Sequence, residues 1–295
     1  MTHLDTCQRF MMDNSAIRGE WCLLDATFKS VITAHDYPLE VQGLLGEMMA
    51  AAALLSSTLK FEGTLILQAR GEGPIQLATV ECTHNKNIRA VAHWQGDVSN
   101  KGLRELLGKA QLAITISPNK GKSYQGIVPL TGETLAKCLE HYFKQSEQLD
   151  TRVFLNQGND KAAGLLLQIM PFNSNDNTPE EQQHEDWTRI CTLASTLTAE
   201  EHLSISSEEL LNRLFHEEEV RLFDPVDTAF KCTCSRDRMG AALLSMGKEE
   251  TENLLTTQEK VTITCDYCNT HHEFDKIDIH VLFESTQPDN QNKLH

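Results

Sequence analysis

Cys232-Thr-Cys234 and Cys265-Asp-Tyr-Cys268 decide the reading of this 295-residue chain. Thirty residues separate the two tight thiol pairs, room for a short helix and a hairpin, so both pairs can converge on one ion in a closed tetrahedral site of the structural zinc kind. The remaining cysteines, Cys7, Cys22, Cys82, Cys138 and Cys191, are scattered as unrelated buried thiols would be. Clustering is what marks the four. A competing reading takes Cys265-Asp-Tyr-Cys268 as a dithiol active site of the thioredoxin kind. Such a motif should open a helix within a βαβ pattern, whereas here it follows the strand-like Val261-Thr-Ile-Thr264. His271 and His272 lie just beyond Cys268 and compete as ligands only if a thiolate is missing. Lys231, Arg236 and Arg238 flank the first pair; they read either as charges that favour thiolate over thiol or as a solvated basic patch.

Outward from the cysteines, the charge is unevenly spread. Residues 1–175 carry 16 basic and 17 acidic side chains, 176–227 carry 3 and 14, and 228–295 carry 7 and 11, so most of the net −16 sits on the middle segment. That balance opposes general nucleic-acid binding, which needs clustered Lys and Arg. The N-terminal stretch Met1-Thr-His-Leu-Asp-Thr-Cys7 has no basic, apolar-cored leader, and no apolar run exceeds Met48–Leu55, so neither a secretion signal nor a membrane span is expected. Nine cysteines then point to a reducing cytosol.

The patterning gives an α+β chain in three parts: an N-terminal domain of mixed sheet and helix (1–175), an acidic helical linker (176–227) and a small C-terminal zinc domain (228–295). Gly43–Lys60 reads as an apolar helix. Thr64–Arg70, Ile75–Cys82, Ile88–Trp94, Leu112–Ser117, Tyr124–Leu130, Arg152–Asn156 and Leu165–Met170 read as strands, with helices at Leu103–Leu107 and Glu133–Glu147. Pro171–Pro179 is a polar, Asn-rich break. Beyond it Glu180–Leu197 and Ser207–Phe215 look helical, with Ser207 as a capping residue. Their few apolar side chains among many like charges mean that they hold only by docking on something else. In the last part, helices are expected at Arg236–Met246, at Glu249–Leu255 and from Ile277, and strands at Val261–Thr264 and His272–Asp275. So small a core is marginal without a staple such as zinc.

Other motifs fail. Gly121-Lys-Ser123 resembles the end of a phosphate-binding loop, but Ile116 stands where its first glycine belongs; Gly102–Lys109 has the wrong spacing and is followed by Ala110. Cys138 and His141 fall one helical turn apart, without an orienting carboxylate or oxyanion loop in view, and read as helix packing.

Nearly the whole chain resembles the redox-regulated holdase chaperones called heat-shock protein 33. The resemblance rests on Phe230-Lys-Cys-Thr-Cys-Ser-Arg236 and Cys265-Asp-Tyr-Cys268, and on Arg18-Gly-Glu20, His35-Asp-Tyr-Pro38, Thr58-Leu-Lys-Phe61, Gly71-Glu-Gly-Pro74, Tyr124-Gln-Gly126, Ser146-Glu-Gln-Leu149, Ala162–Gln168 and His216-Glu-Glu-Glu-Val220. One departure is Asn269, where the family usually has glycine; asparagine tolerates a left-handed backbone better than most residues. The resemblance implies one zinc per reduced chain, held by Cys232, Cys234, Cys265 and Cys268, in a monomer with little activity. It further implies that oxidation releases zinc, forms the local disulfides Cys232–Cys234 and Cys265–Cys268, unfolds the linker and gives a homodimer. That form would hold unfolding client proteins without ATP and pass them to the heat-shock protein 70 foldase system. Linker unfolding would expose Leu210, Leu211, Leu214, Phe215, Leu222 and Phe223. The expected function is binding, not catalysis. A thiol-disulfide oxidoreductase is the alternative, and a zinc-ribbon transcription regulator is disfavoured by the acidic balance.

Overall fold

Leu39–Thr58 is apolar on nearly every side, so it can be a helix only where nearly every side is covered. In the computed structural model, which describes residues 4–58, 62–170 and 180–284, this helix lies between two sheets. By length and composition alone it would cross a bilayer; here it is the core helix of the larger of two compact units, residues 1–231.

In chain order that unit contains β1 (Thr6–Met12), β2 (Ile17–Leu24), α1 (Ala26–Ile32), α2 (Leu39–Thr58), β3 (Gly63–Gly71), β4 (Ile75–Thr83), β5 (Asn87–Trp94), α3 (Leu103–Leu107), β6 (Ala110–Pro118) and β7 (Tyr124–Pro129). There follow α4 (Leu135–Tyr142), β8 (Thr151–Gly158), β9 (Lys161–Ile169), α5 (Glu180–Ala194), α6 (Ala199–Ser204), α7 (Ser207–Phe215), β10 (Val220–Leu222), β11 (Val226–Asp227) and β12 (Ala229–Phe230). The first sheet is antiparallel, in the order β10-β1-β2-β9-β8, with β11 also paired to β1. The second runs β12-β5-β4-β3-β6-β7 and is antiparallel except for β12 on β5. This is the α+β class expected from the sequence.

Alternation along the strands sorts the first sheet into two apolar faces. One face sends Cys7, Cys22, Leu24, Ala162 and Leu166 into the core around α2. The other presents Phe10, Met12, Ile17, Trp21, Leu23, Ala163, Leu165 and Leu167, all buried. What buries them is the acidic segment: α5 lays down Ile190 and Ala194, α6 Leu203, and α7 Leu210, Leu211, Leu214 and Phe215. Gly19 is needed on that face, because a Cβ there would meet the ring of Phe10 at 2.0 Å. His202 on α6 is wholly buried, its Nδ1 2.9 Å from Asn156 Nδ2, and burial pushes its pKa down to about 4.

Several local expectations are corrected. β1, β2, α1 and α6 were not read from the sequence: β1 and β2 bury residues on both faces and so lack the clean alternation that marks a strand. Ser206, not Ser207, caps α7 by accepting from Glu209 N at 3.3 Å, while Ser207 Oγ lies 2.5 Å from Gln8 Oε1. The helix expected over 133–147 ends at Tyr142 and continues as one wider turn, Phe143–Glu147. Gly121-Lys-Ser123 lies in the connection between β6 and β7. The break Pro171–Pro179 lies outside the described residues.

Burial raises the Glu47 carboxyl on α2 from its ordinary range to about 7. The folded state therefore keeps a proton that the unfolded chain has lost, so the associated stability is complete below about 4.5 and disappears as pH rises through about 7. Replacing Glu47 with Gln is expected to raise stability by about 1–2 kcal/mol at pH 8 and to leave it nearly unchanged at pH 4. Urea melts of both proteins across that range measure it.

Candidate metal centre

Residues 232–295 form the smaller unit, with α8 (Arg236–Met246), α9 (Lys248–Thr257), the antiparallel hairpin β13 (Lys260–Thr264) and β14 (His271–Asp275), and α10 (Lys276–Glu284). Its buried apolar core is Leu243, Val261, Phe274 and Ile279. Met239, Leu255, Ile263, Leu282 and Phe283 pack half-buried against it, still a small core among the described residues of so short a segment.

Cys232 and Cys234 lie on the approach to α8, whose N-cap Ser235 accepts from Arg238 N at 3.2 Å. Cys265 and Cys268 lie in the turn of the hairpin, which excludes the helix-opening geometry of a thioredoxin-like dithiol. The turn closes through Asn269 N to Cys265 O (2.8 Å) and Cys265 N to Thr270 O (2.9 Å), with Asn269 left-handed at φ 56°. Asn269 thus takes a left-handed backbone that glycine adopts most readily, and the turn closes around it.

All four Sγ atoms lie within 4.8 Å of one another. Cys232 Sγ is 3.6 Å from Cys265 Sγ, and Cys234 Sγ is 3.4 Å from Cys268 Sγ. Zinc–sulfur bonds of about 2.3 Å require tetrahedral edges of roughly 3.8 Å, so this donor set fits such an ion, while a disulfide would need about 2.0 Å. None of the four is in a disulfide. The sulfurs differ: burial, reinforced by its thiol neighbours, pushes Cys234 well up, and burial also raises Cys265. At Cys268 burial pushes the same way but is outweighed by the hydroxyl and amide of Thr270 and by the thiols of Cys234 and Cys232, giving about 7. Thr270 Oγ1 stands 3.2 Å from Cys268 Sγ, a contact that no sequence signal announced.

The flanking cations have other work. Arg236 is held by Asp278 (2.5 Å) and Glu273 O (2.5 Å), with its guanidinium 4.6 Å from the Phe274 ring centre. Arg238 bonds Thr233 Oγ1 (2.6 Å) and O (3.0 Å), closing the loop between the first two cysteines. These two arginines therefore help to hold the unit together, a role that neither reading of the flanking charges gave. His271 Nδ1 lies 2.8 Å from Thr264 Oγ1, and neither His271 nor His272 joins the metal-binding group. In the larger unit, Cys138 is buried and accepts from Gly132 N at 3.2 Å, while His141 is exposed. Of the residues expected to become exposed, Leu210, Leu211, Leu214 and Phe215 are buried and Leu222 half-buried, but Phe223 at the sheet edge is already 40% exposed.

The family model described as Hsp33 protein matches residues 5–275. The chain belongs to the Hsp33 family. It is 43% identical over 282 residues to the 33 kDa chaperonin of Shewanella loihica, covering 95% of this chain and 96% of that protein. The 33 kDa chaperonin of Nitrosococcus oceani is 44% identical over 283 residues (96% of each), and that of Aeromonas salmonicida 42% identical across 100% of both chains. A crystal structure of the 33 kDa chaperonin of Thermotoga maritima has the same fold, with a TM-score of 0.80 at 21% identity over 95% of this chain and 98% of that one.

Because an Hsp33 turn built on asparagine depends on a left-handed residue, Asn269→Ala should cost about 1 kcal/mol of metal retention, roughly fivefold, and Asn269→Gly should cost none. Competition with a chromogenic chelator measures both.

Proposed function

We propose that this Hsp33-family chain is a redox-regulated, ATP-independent holdase chaperone of the reducing cytosol, a binding protein and not an enzyme. The observation that carries the reading is a four-thiol centre in the same chain as an apolar sheet face covered only by charged helices. Zinc, one per reduced chain, is the metal this all-sulfur set suits, and when bound it ties the approach to α8 to the turn of the hairpin. The chain's own thiols then provide the switch. The nearest sulfurs belong to different pairs, so the local disulfides Cys232–Cys234 and Cys265–Cys268 form only as the centre opens. Each closes a very small loop and restores nothing across the 30 residues between the pairs.

With its staple lost, the smaller unit unfolds, and the acidic segment that leads into it loses order in turn. Release of α5–α7 bares Leu210, Leu211, Leu214 and Phe215, and also the face they cover, chiefly Phe10, Trp21, Leu165 and Leu167. A contiguous apolar surface of that kind binds unfolding clients and a second copy of the chain. Transfer of clients to the heat-shock protein 70 foldase system completes the cycle.

The direct test is aggregation of an unfolding client followed by light scattering, with zinc release recorded in parallel. Suppression by oxidised but not reduced protein is expected; equal behaviour of the two forms, or turnover of a model disulfide by the zinc-free reduced protein, would overturn the reading. Peptide mapping after peroxide and mild heat should find the two local disulfides, whereas a bridge from Cys232 or Cys234 to Cys265 or Cys268 would contradict the mechanism. Leu214→Asp places a charge in the covered interface and should undock α7, giving partial aggregation suppression while all four cysteines stay reduced. Rapid hydrogen exchange over 180–227 without that gain would remove the linker from the switch.

A further inference from the structure

β1 and β2 place Cys7 directly opposite Cys22. The backbone shows which kind of pair this is. Thr228 N donates to Asp5 O, Phe223 N donates to Arg9 O, and Asp13 N donates to Glu219 O, so the odd-numbered peptide groups of β1 face away from β2. Cys7 and Cys22 are therefore a non-hydrogen-bonded cross-strand pair, the closer of the two antiparallel types, with Cα atoms about 4.5 Å apart. That separation is inside the range of about 4.4–6.8 Å that a disulfide spans.

Both thiols are buried, but they are not equivalent. Cys22 is fully enclosed, its Sγ 3.6 Å from Ala50 O, and burial followed by the neighbouring Cys7 pushes its pKa well up. Cys7 lines a cavity of about 280 Å³ together with Arg9, Ser57, Lys86, Asp224 and Val226. Lys86 Nζ is anchored there by Ser56 Oγ (2.7 Å) and Ser57 Oγ (2.6 Å), and Arg9 pairs with Glu20 at 2.7 Å. β11, only two residues long, runs beside Cys7 at the sheet edge through the register Cys7↔Val226, and Val226 also lines the cavity. A third thiol, Cys82, belongs to the other sheet and stands 3.2 Å from Ser56 Oγ.

We propose that Cys7 and Cys22 are a reversible redox dithiol of the larger unit, oxidised by a hydroperoxide that enters the cavity lined by Cys7, with Cys7 as the sulfur oxidised first and Cys22 as the resolving sulfur. In the first step Cys7 sulfur takes the terminal peroxide oxygen, the O–O bond breaks, and the thiol proton leaves on the departing oxygen as water or an alcohol. Cys22 sulfur then displaces hydroxide from the Cys7 sulfenic acid, forming the S–S bond and releasing a second water that carries the Cys22 proton. Two electrons pass from the two sulfurs to the peroxide. This site is separate from the four C-terminal cysteines and does not rest on the chaperone reading.

The test is non-reducing peptide mapping of the full-length, metal-loaded protein after hydrogen peroxide at native pH, with acid quench and N-ethylmaleimide blocking. The expected result is a peptide joining Cys7 to Cys22, about 2 Da lighter than the sum of its reduced halves and lost on reduction. In Cys22→Ala, checked for native melting, Cys7 should instead be trapped as a sulfenic acid by dimedone. Recovery of Cys7 and Cys22 as blocked thiols in wild type while the C-terminal cysteines are oxidised would overturn the proposal, as would a bridge from either to Cys82.

Discussion

The first sheet buries large apolar side chains on both of its faces, and only one face has the α2 core to lie against. The other is covered by three helices drawn from the most acidic stretch of the chain. Fully burying a leucine or phenylalanine contributes about 1.5–3 kcal/mol, so Leu210, Leu211, Leu214 and Phe215 supply the docking force. Against it stand fourteen acidic residues and three basic ones in 176–227. Every one of those three is engaged: Arg189 with Asp186 and Glu218, Arg213 with Glu201 and Glu209, and Arg221 with Asp13. The cover is held by these apolar contacts together with Ile190, Ala194 and Leu203, and each of its three basic residues is already paired.

The smaller unit has the opposite problem. Among its described residues, four buried apolar side chains with five half-buried ones against them make a small core, beside four thiols that could hold a metal ion. From α7 to Cys232 the chain passes through β10, β11 and β12, strands of three, two and two residues. Such short strands add little pairing of their own, and β11 is also the edge neighbour of Cys7.

The clustering of Cys232, Cys234, Cys265 and Cys268 was legible in the sequence because thiol spacing is a local signal. β3, β6 and β7 were legible because they alternate, and β9, buried on both faces, because of its apolar run Leu165–Leu167. β1 and β2 were not, since burial on both faces erases the period of two, and for the same reason the face under α5–α7 could not be foreseen as apolar. α6 is only six residues long, and its capping box, Thr198 with Glu201, is recognisable once sought. The position of Arg236 on Glu273 and Phe274 arises from how the hairpin folds back on α8, whereas the Thr270–Cys268 contact is local to the turn and the Arg238–Thr233 bonds to the start of α8.

Hydrogen exchange of the full-length protein, compared before and after oxidation with release of bound metal, tests most directly whether the cover is what moves. Protection should fall in α5, α6 and α7 and in the smaller unit, while α2 and β3–β6 keep theirs. Oxidised protein that suppresses client aggregation with α5–α7 still fully protected would contradict the mechanism.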